Sequence, residues 1–189
     1  FEANTRIISS GYADTNFGTP VTLELGSCTS LYDITCGGGA YSSGLMRINL
    51  SSIPTNAIVS AASINFYTTA CVVGCPGEIG LHNITNRTWT EGTITWNSFG
   101  AGFNATRFTQ YTPRSSMPGW DNVTITSYIQ DQVTKGIKAE IYFQLTGNDD
   151  TFALTGYKGR TSSDVNKPSI TVTYTLPVMN ITSHGNNKT

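Results

Sequence analysis

The sequence contains little charge. Asp, Glu, Lys and Arg make up 12% of its 189 residues, against about 25% in an average soluble protein. The formal net charge is −1, so the chain lacks the basic surface that binds nucleic acid or an anionic membrane. No apolar run approaches the ~18 residues of a membrane-spanning helix. We therefore expect no nucleic-acid partner and no membrane insertion.

Residues suited to catalysis or tight metal binding are also scarce. The only histidines are His82 and His184, with no nucleophile placed to pair with either and no zinc-ligand spacing. We expect a protein that is not an enzyme and has no cofactor. An acidic turn, Asn148, Asp149 and Asp150, offers oxygen ligands for Ca²⁺ together with Asp14, but lacks regular ligand spacing. A solvated turn is the alternative, and the sequence does not decide whether Asp149 and Asp150 bind calcium.

N-glycosylation sequons, in contrast, are abundant. Each used sequon must lie on the solvated surface of a secreted protein, because an N-linked glycan is bulky and hydrophilic. With 29 Thr, 18 Ser and 15 Asn, solubility comes from uncharged polar groups and from sugar. The seven sequons begin at Asn49, Asn83, Asn86, Asn104, Asn122, Asn180 and Asn187.

The four cysteines form two close pairs in Gly-rich segments. Three pairings are possible in principle. The short loops favour two local disulfides, Cys28–Cys36 and Cys71–Cys75, over a zinc site, because the CxxC spacing is absent. Sequons and disulfides agree on an oxidising, extracellular compartment.

Apolar and polar residues alternate with period two along most of the chain, which is typical of β-strands with one buried face. Turn residues separate the strands at short intervals, as in an antiparallel sandwich. The pattern predicts strands at 4–10, 21–25, 45–50, around Ile64 and Phe66 to about Thr69, and at 79–84, 93–96, 106–109, 122–126, 139–146, 152–155 and 169–175.

One segment has helical spacing instead. Ile129 and Val133 are four residues apart within 127–135, and Gly136 follows as a helix stop. We predict an all-β fold, an antiparallel jelly-roll-like β-sandwich with one short capping helix near 127–135. Residues 1–175 form a single β-sandwich domain, and 176–189 form a polar, glycosylated C-terminal tail.

Four stretches of the sequence, in order, resemble a known family. They are 13–18 (ADTNFG), 45–54 (LMRINLSSIP), 89–97 (WTEGTITWN) and 152–174. With them the chain is similar to the DNRLRE family, extracellular β-sandwich modules related to the carbohydrate-binding modules of disaggregatase-type proteins. The resemblance implies a jelly-roll-like sandwich of the kind found on surface proteins, adhesins and polysaccharide-active enzymes. One departure is Asn49, which opens a sequon where the family has Asp.

Exposed aromatic side chains are candidates for sugar binding, because the apolar face of a pyranose stacks on a π surface. Trp89 and Trp96 flank what looks like a hairpin, and they belong to the fold signature, so we expect them to fill the core. Trp120, beside Gly119, is the better candidate for an exposed carbohydrate-binding residue.

Two functional hypotheses follow. The first is a structural subunit of an extracellular, N-glycosylated filament or coat on the cell surface of an archaeon or eukaryote. The alternative is a carbohydrate-binding module of a secreted surface protein, with a polysaccharide as partner. Sequons scattered over the whole sandwich favour the filament subunit, because a binding protein needs one face that is free of glycans.

A filament of this kind needs a joint between copies of the chain. The terminal strand at 1–10 is the expected donor to a neighbouring copy, with Ile7 or Ile8 filling the acceptor groove. The tail at 176–182 is the competing donor.

Overall fold

The computed structural model describes residues 1–20, 22–28, 40–72, 78–116, 118–146, 154–159, 161 and 165–178. Within these residues no helix is long and apolar enough to cross a membrane. The strands are β1 (Ala3–Ile8), β2 (Thr22–Cys28), β3 (Ala40–Ile48), β4 (Ile58–Val72), β5 (Glu78–Ile84), β6 (Phe103–Tyr111), β7 (Gly119–Thr124), β8 (Ala139–Thr146), β9 (Leu154–Lys158) and β10 (Ser169–Thr175), and the helices are α1 (Trp96–Phe99) and α2 (Thr126–Lys135).

All strand pairs are antiparallel, and the predicted all-β sandwich is confirmed. Hydrogen bonds join the strands in the order β10–β4–β9–β2–β3–β8–β5–β6, with β1 on β3 and β7 on β4. The first part of the long strand β4 pairs with β10 and β7, and its end pairs with β9. Because β4 changes partners along its length, the network folds into two layers, one around β3 and β8 and the other around β4.

The main core lies between these layers. Alternate residues of β4 and β8 point into it, and Phe66 meets Phe143 edge to face, with ring centroids 5.5 Å apart. Helix α2 closes one end through Ile129 and Val133, both buried. The helix confirms the predicted capping element, and Gly136 ends it in the left-handed conformation at φ 64°, which glycine adopts without steric cost.

A second core cluster covers the opposite face of the β3–β8 layer. Leu45 and Tyr142 point outward from these strands and are covered by Trp89, Ile94 and Phe99. The covering residues come from the segment between β5 and β6. This layer is therefore buried on both faces, which a simple two-layer sandwich does not require.

The covering segment corrects one strand prediction. Residues 93–96 were expected to form a strand in a hairpin, but the chain makes a turn there and then enters helix α1. The local signal for the helix is a capping box, in which the side chain of Thr95 accepts from the N–H of Ser98 and the side chain of Ser98 accepts from the N–H of Thr95. Period-two spacing misled here because Ile94 packs onto the second core as part of a turn.

Strand β1 pairs with β3 of its own chain from Ala3 to Ile8. Ile7 and Ile8 are 1% and 0% exposed, so both are buried in the chain that carries them. The outer edge of β1 is covered as well, because the N–H of Asn4 donates to the carboxylate of Glu91. Donation of this strand to a second copy stays a prediction, and it would require these intrachain contacts to be exchanged.

Candidate functional site

Three neighbouring strands of the layer around β4 form an open outer surface. In β4 the buried residues alternate with partly exposed ones, so every second side chain points away from the core. The register places β7 on one side of β4 and β10 on the other. We call the outward residues of these strands the polar outer face, and they are Ala61, Ser63, Asn65 and Tyr67 of β4, Trp120, Asn122 and Thr124 of β7, and Ser169, Thr171 and Thr173 of β10.

An aromatic pair stands at one end of the polar outer face. Trp120 lies directly opposite Tyr67 in the strand register, and their rings meet edge to face with centroids 5.3 Å apart. Trp120 is 45% exposed, far above the 3% of the buried Trp89. The pair therefore presents a rigid apolar surface to solvent, held in place by ring–ring contact.

The backbone beneath Trp120 is fixed by a neighbouring arginine. Nη1 of Arg114 donates to the carbonyl oxygen of Trp120 at 3.0 Å. A Cβ at Gly119 would lie 1.9 Å from the same nitrogen, so the Arg114 guanidinium would have to move if residue 119 carried a side chain. The guanidinium thus orients the strand that carries the indole ring.

Side-chain amides lie next along the polar outer face. Nδ2 of Asn122 donates to Oδ1 of Asn65 at 2.6 Å and to Oγ of Ser63 at 3.2 Å. Nδ2 of Asn65 in turn donates to Oγ of Ser169 at 3.3 Å. A line of hydrogen-bonding groups therefore crosses all three strands beside the aromatic pair.

The polar outer face carries no charged side chain at any of the outward positions named above. A shallow cavity of about 220 Å³ lies beyond the amides, lined by Ser63, Asn122, Thr124 and Thr171 among others. From Trp120 to Thr124 the face is about 13 Å long, and β7 and β10 lie about 10 Å apart across it.

A family comparison identifies the class of module. The model of carbohydrate-binding module family 96 matches residues 2–174. The chain belongs to this family. No curated protein matches the chain. The family match supports the broad resemblance to carbohydrate-binding sandwich modules, whereas the DNRLRE name itself is not confirmed.

The family-96 module has a second concave region, in the other layer. A cavity of about 480 Å³ is lined by Arg47, Arg87, Trp89 and Glu140 among others. Its charges are already paired, since Arg47 binds the Glu140 carboxylate and the Arg87 guanidinium lies 3.8 Å from it. The guanidinium of Arg47 also lies 4.5 Å from the centroid of the Trp89 ring. These contacts tie the covering segment to the sheet. Nε1 of Trp89 and Oε2 of Glu140, in the same lining, are buried without a hydrogen-bond partner among the described residues.

The predicted glycosylation sites fall on different parts of the module. Asn49, Asn104 and Asn122 are exposed, and Asn83 and Asn86 are partly buried. Asn83 accepts a hydrogen bond from the Tyr128 hydroxyl at 3.2 Å. Asn180 and Asn187 lie outside the described residues. Glycan attachment stays a prediction at all seven.

The cysteine pairing also stays a prediction. Cys36 and Cys75 lie outside the described residues, and Cys28 and Cys71 are described only as backbone of β2 and β4. Strand β9 lies between β2 and β4, so the backbones of β2 and β4 are about 9.5 Å apart. This distance exceeds the ~7 Å between Cα atoms that a disulfide can span. A direct Cys28–Cys71 bridge is therefore disfavoured.

The proposed calcium ligands are not brought together in the described structure. Asp149 and Asp150 lie outside the described residues, as does Asn148. Asp14 accepts a hydrogen bond from Asn97 at 2.8 Å. Within the described ranges, no cluster of three or more His, Cys, Asp or Glu side chains could hold a metal ion.

His82 has a structural environment rather than a catalytic one. It is 4% exposed and lies between the rings of Phe103 and Tyr142. Its Nδ1–H donates to the carbonyl oxygen of Asn104 at 2.9 Å, and Nε2 is buried without a hydrogen-bond partner. Burial lowers the pKa of His82 below 6.5, and the nearby Arg107 lowers it further, although the Asn104 carbonyl acts in the opposite direction.

We expect His82 to make the module less stable in acid. The unfolded chain takes up a proton near pH 6.5 while the folded imidazole stays neutral, so the free energy of unfolding falls as the pH drops from 6.5 to the lower folded pKa. Denaturant unfolding of wild type and His82→Phe between about pH 8 and about pH 5 measures this. The variant should lose part of the acid sensitivity, and equal pH slopes would contradict the assignment.

The sequence predicted that Trp120 is exposed, which the structure shows, but it did not predict which residues lie beside it. Tyr67, Asn65 and Ser63 alternate with the buried Ile64 and Phe66, and that alternation was visible in the sequence. The register was not, because it depends on which strands pair. Only pairing places Tyr67 against Trp120 and Asn65 against Asn122.

Proposed function

We propose that this chain is a non-catalytic carbohydrate-binding module whose polar outer face binds an uncharged polysaccharide. The observation that carries the proposal is the Trp120–Tyr67 pair, which is exposed at the end of a flat face in a member of a carbohydrate-binding family. Core packing explains a buried aromatic ring. It does not explain an exposed tryptophan that packs against a second ring, whereas ligand binding does.

The chemistry of the polar outer face matches a sugar chain. The exposed aromatic surface takes the apolar C–H face of a pyranose ring, and a few fixed polar groups orient the ligand. Asn65 and Asn122 each supply a carbonyl oxygen and an amide N–H₂ group. Sugar hydroxyls both donate and accept, so they can replace the hydrogen bonds that these amides now make with each other.

The absence of charge on this face selects the class of polysaccharide. A uronate or sulfate group is normally held by charge-assisted hydrogen bonds from Arg or Lys, and none of the outward residues of the polar outer face supplies one. Arg114 borders the face but donates to the Trp120 backbone. We therefore propose a neutral glycan as ligand.

This proposal takes precedence over the filament subunit suggested by sequon density. The family is one of binding modules, and the expected donor strand β1 is paired within its own chain. Assembly by strand exchange stays a prediction without support from these contacts. The sequons and the predicted disulfides still favour an extracellular location.

Affinity electrophoresis in gels containing galactomannan, xyloglucan or laminarin tests the proposal, with polygalacturonate as the charged comparison. Trp120→Ala should weaken binding about tenfold or more, as truncation of a central aromatic contact usually does. Tyr67→Ala should weaken it less. Tyr41→Ala removes another exposed ring, 42% exposed on β3, and is the matched control.

Two outcomes would contradict the proposal. Loss of binding in Arg87→Ala but not in Trp120→Ala would move the site to the 480 Å³ cavity. Retention only by polygalacturonate would reject a neutral ligand. Thermal unfolding of every variant checks that the fold is intact. We expect an intact fold, because Trp120 and Arg87 are both partly solvent-exposed.

A further inference from the structure

One sequon asparagine lies inside the proposed binding surface. Asn122 is two residues from Trp120 on the same side of β7, which places the two Cα atoms about 7 Å apart. Asn122, Val123 and Thr124 complete the sequon, and Asn122 and Thr124 are both exposed. The sequon is therefore sterically open, and it opens onto the polar outer face.

The present contacts of Asn122 require both hydrogens of its amide. One N–H donates to Asn65 Oδ1 and the other to Ser63 Oγ. In N-glycosylation, Nδ2 bonds to the anomeric carbon of a glycosyl phosphate donor. The anomeric carbon–oxygen bond breaks, the phosphate leaves with the electron pair, and one amide proton passes to a base. The modified nitrogen keeps a single N–H, so one of the two contacts is lost.

The attached glycan would also start in the middle of the ligand's path. Tyr67 and Trp120 lie on one side of Asn122 and the 220 Å³ cavity lies on the other. The first sugar on Nδ2 therefore occupies space over the face between the two, whichever way the rest of the glycan leaves. The glycan therefore competes with an external polysaccharide for the same surface.

We propose that Asn122 is a modification switch for this site: unmodified, it belongs to the binding surface, and N-glycosylated, it closes that surface. The switch rests on the proposed binding function of the polar outer face. It assigns Asn122 a role that differs from that of a sequon such as Asn49, which lies in the loop after β3. A glycan at Asn49 has no reason to affect binding at the polar outer face.

A pair of substitutions at Thr124 tests the switch without changing Asn122. Thr124→Ser keeps the sequon and Thr124→Ala removes it, and both leave the other sequons intact. Each variant is produced in a secretory host that N-glycosylates and in a bacterial host that does not. Glycopeptide mass spectrometry measures occupancy at Asn122, and galactomannan, xyloglucan and laminarin gels measure binding.

The expected result is specific to one combination. From the secretory host, Thr124→Ser occupied at Asn122 should bind about tenfold or more weakly than the same variant from the bacterial host, whereas Thr124→Ala should bind alike from both hosts. Equal binding by Thr124→Ser from the two hosts would overturn the switch and leave the binding function standing, and so would an unoccupied Asn122. Failure of all four proteins to bind would instead reject the proposed function, and the switch with it.

Discussion

Replacing Glu140 with alanine is expected to lower the free energy of unfolding by about 3 kcal/mol, because it leaves the guanidinium of Arg47, whose side chain is only 14% exposed, without its counter-charge. Glu140 lies on β8 directly opposite Arg47 of β3 and is 2% exposed. Arg47 also donates to the carbonyl oxygens of Arg87 and Trp89, at 3.3 and 2.9 Å. Loss of the carboxylate therefore loosens the covering segment as well as the ion pair. Denaturant unfolding measures the change.

A second carboxylate provides the control for Glu140. Glu2 forms an exposed pair with Lys138, with Nζ and Oε1 2.6 Å apart, and Glu2→Ala should cost about 0–1 kcal/mol. The double variant Arg47→Leu with Glu140→Leu should be less destabilised than Glu140→Ala, because no charge is left buried. If Glu140→Ala costs no more than Glu2→Ala, water reaches the Arg47 guanidinium and the explanation fails.

Ile7→Ala is expected to destabilise the isolated chain by about 2–5 kcal/mol, as large-to-small changes in a packed core do. Ile7 lies in the second core cluster with Trp89, Phe99 and Tyr142. Ile58→Ala is the matched control, because Ile58 is 56% exposed on β4, and its effect should stay within about 0.5 kcal/mol. Thermal or denaturant unfolding at several protein concentrations measures both.

The concentration series also tests strand exchange. If β1 pairs only within its own chain, the unfolding midpoint of the wild-type protein does not change with protein concentration. If β1 is donated between copies, association stabilises the folded state and the midpoint rises with concentration. A rising midpoint, abolished by Ile7→Ala, would contradict the intrachain assignment and restore the strand-exchange filament as an explanation for the buried Ile7 and Ile8.

The contacts between the family-like motifs show why local sequence was informative. Nδ2 of Asn16, in the first motif, donates to the carbonyl oxygens of Glu91 and Ile94 in the third, at 2.8 and 2.7 Å. The N–H of Asn97 donates to the carbonyl oxygen of Ala13 at 2.9 Å. The motifs therefore specify how the covering segment docks on the loop after β1. They describe the fold, and they do not describe the ligand site.

Local pattern was sufficient where burial is one-sided. Strand β8 was predicted at its observed bounds, Ala139–Thr146, because Ile141 and Phe143 alternate with more polar residues and face the main core. Helix α2 was predicted because Ile129 and Val133 share a face and Gly136 ends it. The strand predicted at 93–96 was wrong. The β3–β8 layer is buried on both faces, and the alternation of apolar and polar residues does not show that a turn, rather than a strand, covers it.

The sequence by itself determined the all-β class, the capping helix, the positions of the sequons and the choice of Trp120 as a candidate binding residue, because each depends on residue type and on spacing along one element. Only the tertiary structure decided that the ring of Tyr67 packs against Trp120 and that Asn122 donates a hydrogen bond to Asn65. It also decided that Ile7 and Ile8 are buried within their own chain. These facts depend on strand register and on which layer covers which. Register is set by the summed burial of many side chains across different strands, so no single segment of the sequence contains it.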